Sequence, residues 1–206
     1  NTNMLSDYAA IKNGSYGKLM KAYYAKQDAE KLSGKGDTSQ KLTLMKTSAD
    51  SLKKSADALN DSSLWEKKKI KKKDEKTGEE IEVEDYDWDK ITKAVKSFVE
   101  DYNDVVKEAG ESNTKDVLRN ASWMTGMTDK NSNMLAKIGI TIGKGNKLEL
   151  DEDALKQADI SSLKTVFTGY NSFVSKISQK ATGISNAANR ASATYTNNGT
   201  YSKTDS

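Results

Sequence analysis

Apolar residues recur at alternating spacings of three and four in three stretches of the chain, and each stretch predicts a helix with one buried stripe. The first runs Leu42, Met45, Ala49, Leu52, Ala56, Leu59, a heptad pattern whose two alanines allow close approach of a neighbour. The second runs Trp88, Ile91, Val95, Phe98, Tyr102, Val105, with Lys90, Lys93, Lys96, Glu100, Asp101 and Asp104 solvating the other faces. The third starts at Ser161 as one long helix presenting Leu163, Val166, Tyr170, Phe173, Ile177, Ala181, Ile184 and Ala188. These stripes predict a bundle in which the second and third helices are antiparallel partners and the first packs on both.

Between the second and third stripes the period changes. A shorter helix is expected over Thr114 to Thr125, with Val117, Leu118, Ala121 and Met124 inward and Gly126 as its stop, then a helical turn from Ser132 to Ile138. After Gly139, Ile140 and Ile142 alternate with Thr141, Gly143 to Asn146 supply turn chemistry, and Leu148 and Leu150 alternate with Glu149. That is a hairpin too small to stand alone, so it lies against the helices. Asp151 is placed to cap a short helix, and the run Asp151, Glu152, Asp153 suits the positive end of its dipole better than a metal loop, since adjacent acids diverge on a helix.

Trp65 to Tyr86 reads as a second hairpin with inverted chemistry. Lys67 to Lys69 and Lys71 to Lys73 surround Ile70, Lys76 to Gly78 form a turn, and Glu79, Glu80, Glu82, Glu84 and Asp85 interleave with Ile81 and Val83. Seven lysines against eight acids neutralise one another here, which argues against phosphate or nucleic-acid binding. Such a charge-paired, projecting hairpin also resists edge-to-edge aggregation.

Two flanking regions complete the division. Residues 1–39 form a tyrosine-rich helical arm ending in a flexible Gly-containing joint, and Tyr8, Tyr16, Tyr23 and Tyr24 are its candidate interface, since tyrosine buries a large ring while keeping its hydroxyl wet. Residues 40–188 form the helical bundle domain carrying the charged insertion at 65–86. From Asn189 to Ser206 the chain is polar and aperiodic, and a disordered tail is expected.

The words FVEDYNDVV, IGIT followed by a glycine turn and LELDEDAL, and VFTG before a long helix occur in that order between about residues 88 and 188. This order resembles the C-terminal region of the bacterial flagellar cap protein family, hook-associated protein 2. The resemblance implies a structural, non-enzymatic protein of the flagellum or cell surface, exported by the flagellar type III route, with itself or other flagellar axial proteins as partners. The region before Trp88 does not match that family, and the long C-terminal coiled-coil segment of such proteins has no counterpart in this sequence.

Composition sharpens the picture. An apolar fraction of 35% among 206 residues and a mean hydropathy of -0.80 favour a thin, elongated body. Lys plus Arg number 33 against 30 acids, so a net charge of +3 supplies no strong pull toward nucleic acid or anionic lipid. No proline occurs where about ten would be usual, as long uninterrupted helices require. With no Cys and no His, thiolate and imidazole chemistry and the commonest zinc ligands are missing. No phosphate loop, dinucleotide fingerprint or nucleophile elbow is present, and acid pairs such as Glu100 with Asp104 sit on a solvated helix face. No catalytic, cofactor or metal residue is therefore nominated, and no apolar run is long enough to span a membrane. The chain opens at Asn1 without an initiator methionine, which leaves an upstream targeting segment open, as composition leaves the cytoplasm open.

The expected fold is mainly α: an elongated antiparallel helical bundle or coiled coil with two small β-hairpins, at about 65–86 and 139–150. Its expected work is assembly, with Leu42, Met45, Leu52, Leu59, Trp88, Ile91, Val95, Phe98, Tyr102, Val166, Tyr170, Phe173 and Ile177 as the bundle seam. An adaptor or surface-attached binding module that keeps the fold but has lost filament capping is the alternative.

Overall fold

The computed structural model describes residues 36–204, with side chains described through residue 194. The tyrosine arm, with Tyr8, Tyr16, Tyr23 and Tyr24, lies outside the described residues.

Helix α1 (Ser39–Leu59) starts where the Thr38 hydroxyl accepts from the Lys41 amide, and it buries Leu42, Met45, Ala49, Leu52, Ala56 and Leu59. A 3-10 turn (Ser62–Trp65) leads into strands β1 (Lys68–Lys73) and β2 (Glu80–Asp85), an antiparallel ribbon. Helix α2 (Trp88–Gly110) is capped by Asp87 and buries Ile91, Val95, Phe98, Tyr102 and Val105. Helix α3 (Lys115–Lys130), the short α4 (Ser132–Ala136) and strands β3 (Ile140–Ile142) and β4 (Leu148–Leu150) follow. The chain ends in α5 (Glu152–Gln157), α6 (Ile160–Phe167) and α7 (Phe173–Thr204). The fold is mainly α, with two small two-stranded antiparallel sheets.

Contacts between helices set their directions. Ser178 and Ser185 on α7 meet Asp57 and Asp50 on α1, so these two helices run antiparallel. Lys41 reaches the Glu111 carbonyl and Ser55 bonds to Asp101, so α1 is also antiparallel to α2. Asp116 pairs with Arg190 while Lys180 covers Trp123, which sets α3 antiparallel to α7. The result is an up-down-up-down four-helix arrangement. It corrects one expectation: α2 and α7 run in the same direction, and they meet across the core through Phe98 and Phe173, 6.3 Å apart edge to face. The small residues Ala49 and Ala56 place α1 between them, because a helix faced with alanine offers the closest approach to both.

Phe98 is the hub of the aromatic core. Its ring also meets Tyr102 at 6.2 Å and Phe167 at 6.4 Å, and Phe167 in turn stacks on Trp65 at 5.7 Å. Trp65, whose indole N–H donates to the Leu59 carbonyl at 2.7 Å, thus seals the end of the bundle from which the ribbon leaves. On the flank of α2, the Asn103 side chain bonds both the N–H and the C=O of Leu148, at 2.7 and 3.0 Å, and this pair fixes β4 against the helix.

Five further expectations need correction. The middle helix passes through Gly126 to Lys130, because a mid-helix glycine costs only about 1 kcal/mol and buried Thr128, bonded to the Tyr102 hydroxyl, continues the packing beyond it. The turn expected from Ser132 to Ile138 closes at Ala136. The third stripe is two helices, since the chain breaks at Gly169, φ 104°, in a turn that Asn60 grips through both the N–H and the C=O of Gly169. Tyr170 sits in that turn and is 86% exposed, so it is no seam residue although its spacing fits one. The tail from Asn189 is helical to Thr204, because Ala187, Ala188 and Ala191 keep α7 on the core and no proline stops it.

Three substitutions test this packing. Phe98→Ala should cost about 3–5 kcal/mol in denaturant unfolding, whereas Tyr170→Ala should stay within about 0.5 kcal/mol. Gly139 has φ 89°, and a β-carbon there would lie 2.6 Å from the Asp151 carbonyl oxygen, so Gly139→Ala should lower stability by more than about 1 kcal/mol.

Candidate interaction surfaces

Three surfaces stand out. The first is the seam joining α1 to α7, which is apolar in its middle and polar at its margin. Ser185 donates to Asp50 at 2.6 Å and Ser178 donates to Asp57 at 2.7 Å, seven residues apart on each helix. Lys46 and Lys53 approach the other oxygens of the same carboxylates at 2.8 and 2.5 Å. Burial alone would raise the Asp50 carboxyl, but the Lys46 and Ser185 hydrogen bonds and the Lys46 and Lys53 charges outweigh it and hold it below the ordinary range. Asp57 follows the same pattern with Lys53 and Ser178.

The second is a clamp at the end where the described chain begins. Asp37, itself buried, accepts from the Ser112 hydroxyl at 2.7 Å, the Asn113 amide at 2.7 Å and the Thr114 hydroxyl at 2.5 Å. One carboxylate thereby ties the approach to α1 to the link between α2 and α3, and satisfies donors that would otherwise be unpaired.

The third is the ribbon. Its register pairs Lys69 with Glu84, Lys71 with Glu82 and Lys73 with Glu80 on one face, and Lys68 with Asp85, Ile70 with Val83 and Lys72 with Ile81 on the other. One face is therefore an alternating lysine and glutamate ladder, while the other carries Ile70, Ile81 and Val83 between charges. Lys72 also reaches Asp85 diagonally at 2.6 Å. The root is tied down by Lys67 over the Tyr86 ring and by Tyr86 packed edge-on against Trp88. Tyr170 is exposed at this same end of the bundle.

The seam residues Leu42, Met45, Leu52, Leu59, Ile91, Val95, Phe98, Tyr102, Val166, Phe173 and Ile177 are brought together in a single buried cluster, and Trp88 lies partly buried at its edge. Trp65, Asp37, Asn60 and the Ser178 and Ser185 pair were missed in the sequence. For the serines a signal existed, because Asp50 and Asp57 share their seven-residue spacing. Asp151 accepts from the Ala154 amide at 3.1 Å as a helix cap, and among the described residues no cluster of potential metal ligands is present. No described helix is long and apolar enough to cross a membrane.

The described residues form a helical bundle closed by ring contacts and polar bridges, with a two-stranded ribbon at one end. Residues 112–206 match the family described as flagellar hook-associated protein 2 C-terminus. The match begins later than the resemblance read from about residue 88 and runs through the tail that the resemblance left out. No curated protein and no solved structure matches the chain.

The seam predicts an acid limb in stability. Asp50 and Asp57 titrate below their unfolded values, so their contribution is complete above about pH 4 and is lost as pH falls through the lower folded values. Both side chains are about half exposed, which keeps the effect small through solvent screening. The urea midpoint should fall as pH drops below about 4, and less steeply in the Asp50→Asn, Asp57→Asn double variant.

Proposed function

We propose that this protein is a non-enzymatic subunit of a flagellar, cap-like assembly outside the bacterial cell, and that it acts by presenting a rigid helical body to neighbouring subunits. The observation that carries this reading is the family match over residues 112–206, a segment that contains α3 and α7 and everything between them. The bundle supports it physically. Helix α7 from that segment is locked along α1 by the apolar seam and the two Asp–Ser bridges, giving a stiff rod with surfaces at both ends. The partners are protein: further copies of this chain, or axial proteins of the same filament.

Light scattering coupled to size exclusion, across a concentration series, tests the reading. A discrete or concentration-dependent oligomer is the expected result. A monomer at every concentration, which also fails to bind polymerised flagellar filaments in a co-sedimentation assay, would reject it.

A further inference from the structure

We propose that the ribbon is the surface through which copies of this chain join, with the outer edge of β1 in one copy pairing with the outer edge of β2 in the next. The inference rests on the assembly reading above and names its interface. Among the described residues, each ribbon strand pairs only with the other, so each keeps one row of backbone donors and acceptors without a strand beside it. A two-stranded ribbon in water is marginal by itself, and the root of this one meets the body through Tyr86 packed against Trp88. Ile81, toward its outer end, is 39% exposed.

Charge selects the occupant of those edges. Strand β1 carries Lys68, Lys69, Lys71, Lys72 and Lys73, and β2 carries Glu80, Glu82, Glu84 and Asp85. A symmetric contact would set β1 against β1 or β2 against β2, placing like charges opposite one another, which is destabilising. A head-to-tail contact sets β2 of one copy against β1 of the next. That order keeps every neighbour antiparallel, continues the lysine and glutamate ladder on one face, and joins the Ile70, Ile81 and Val83 stripes on the other. The charges that forbid indiscriminate edge pairing therefore permit this one. Head-to-tail contacts of this kind close into rings or continue as helices.

The absence of cysteine makes the test direct. Lys71→Cys and Glu82→Cys chains are prepared separately and treated with a short bismaleimide, alone and mixed. Covalent dimers are expected in the mixture and not in either variant alone, and 1 M salt should suppress them. The Lys69→Gln, Lys71→Gln, Lys73→Gln variant should weaken self-association by at least about tenfold in light scattering with its circular dichroism unchanged. Dimers of a single variant equal to those of the mixture would overturn the head-to-tail pairing. Oligomers that persist in the triple variant, without cross-links at the ribbon, would overturn the inference and leave the assembly reading standing. A wild-type chain that remains monomeric would overturn the ribbon inference, and would reject the assembly reading as well only if it also failed to bind polymerised flagellar filaments.

Discussion

The contact between α1 and α7 is the constraint from which the rest of the fold follows. More than a hundred residues separate the two helices in sequence, so bringing them together closes the longest loop in the described chain and carries a large entropic cost. What offsets it is a continuous apolar interface, with Ala49 and Ala56 facing a helix that itself offers Ala181, Ala187 and Ala188. Small residues on both sides let the backbones approach, and the Asp–Ser bridges fix the register along the margin. Once α1 and α7 are joined, α2 and α3 have defined grooves to fill, and Phe98 can reach rings from two other segments, Phe167 and Phe173.

This dependence bears on the family segment. Residues 112–206 hold α3 and α7, which pack on each other, but α7 also lies along α1 and α3 meets α2 through the Tyr102 and Thr128 hydroxyls, and α1 and α2 lie outside the match. The matched stretch is thus a portion of one cooperative core and has no complete core of its own. The β3–β4 hairpin shows the same thing in miniature, since Asn103 of α2 supplies both hydrogen bonds that hold Leu148.

Helix positions were legible in the sequence wherever burial imposed a strict period, as along α1 and α2, and both hairpins were legible from alternation and turn residues. Periodicity says which residues share a stripe but carries no direction, which is why the parallel course of α2 and α7 was not visible. Tyr170 shows a second limit: its spacing continues the stripe, yet Gly169 and the grip of Asn60 turn the chain before it can join. The tail misled for the opposite reason. Its polar composition removes the period without removing helix propensity, and a helix already started on a core can propagate through such residues. The candidate surfaces were legible in part, because the charges of the ribbon are written in sequence whereas the Asp37 clamp joins positions that no local pattern connects.

The clamp and the seam together give the molecule a mechanical polarity. The described chain enters at Gly36 and leaves by α7 at one end of the bundle, and the ribbon leaves at the other. Drawing the two chain ends apart would open the α1 and α7 interface one layer at a time, like a zipper, with Asp37 and the first seam residues bearing the load in turn. Tension between that end and the ribbon is instead shared along the full length of the helices, where all layers must slip at once. The same body is therefore weak to spreading and strong to axial pull.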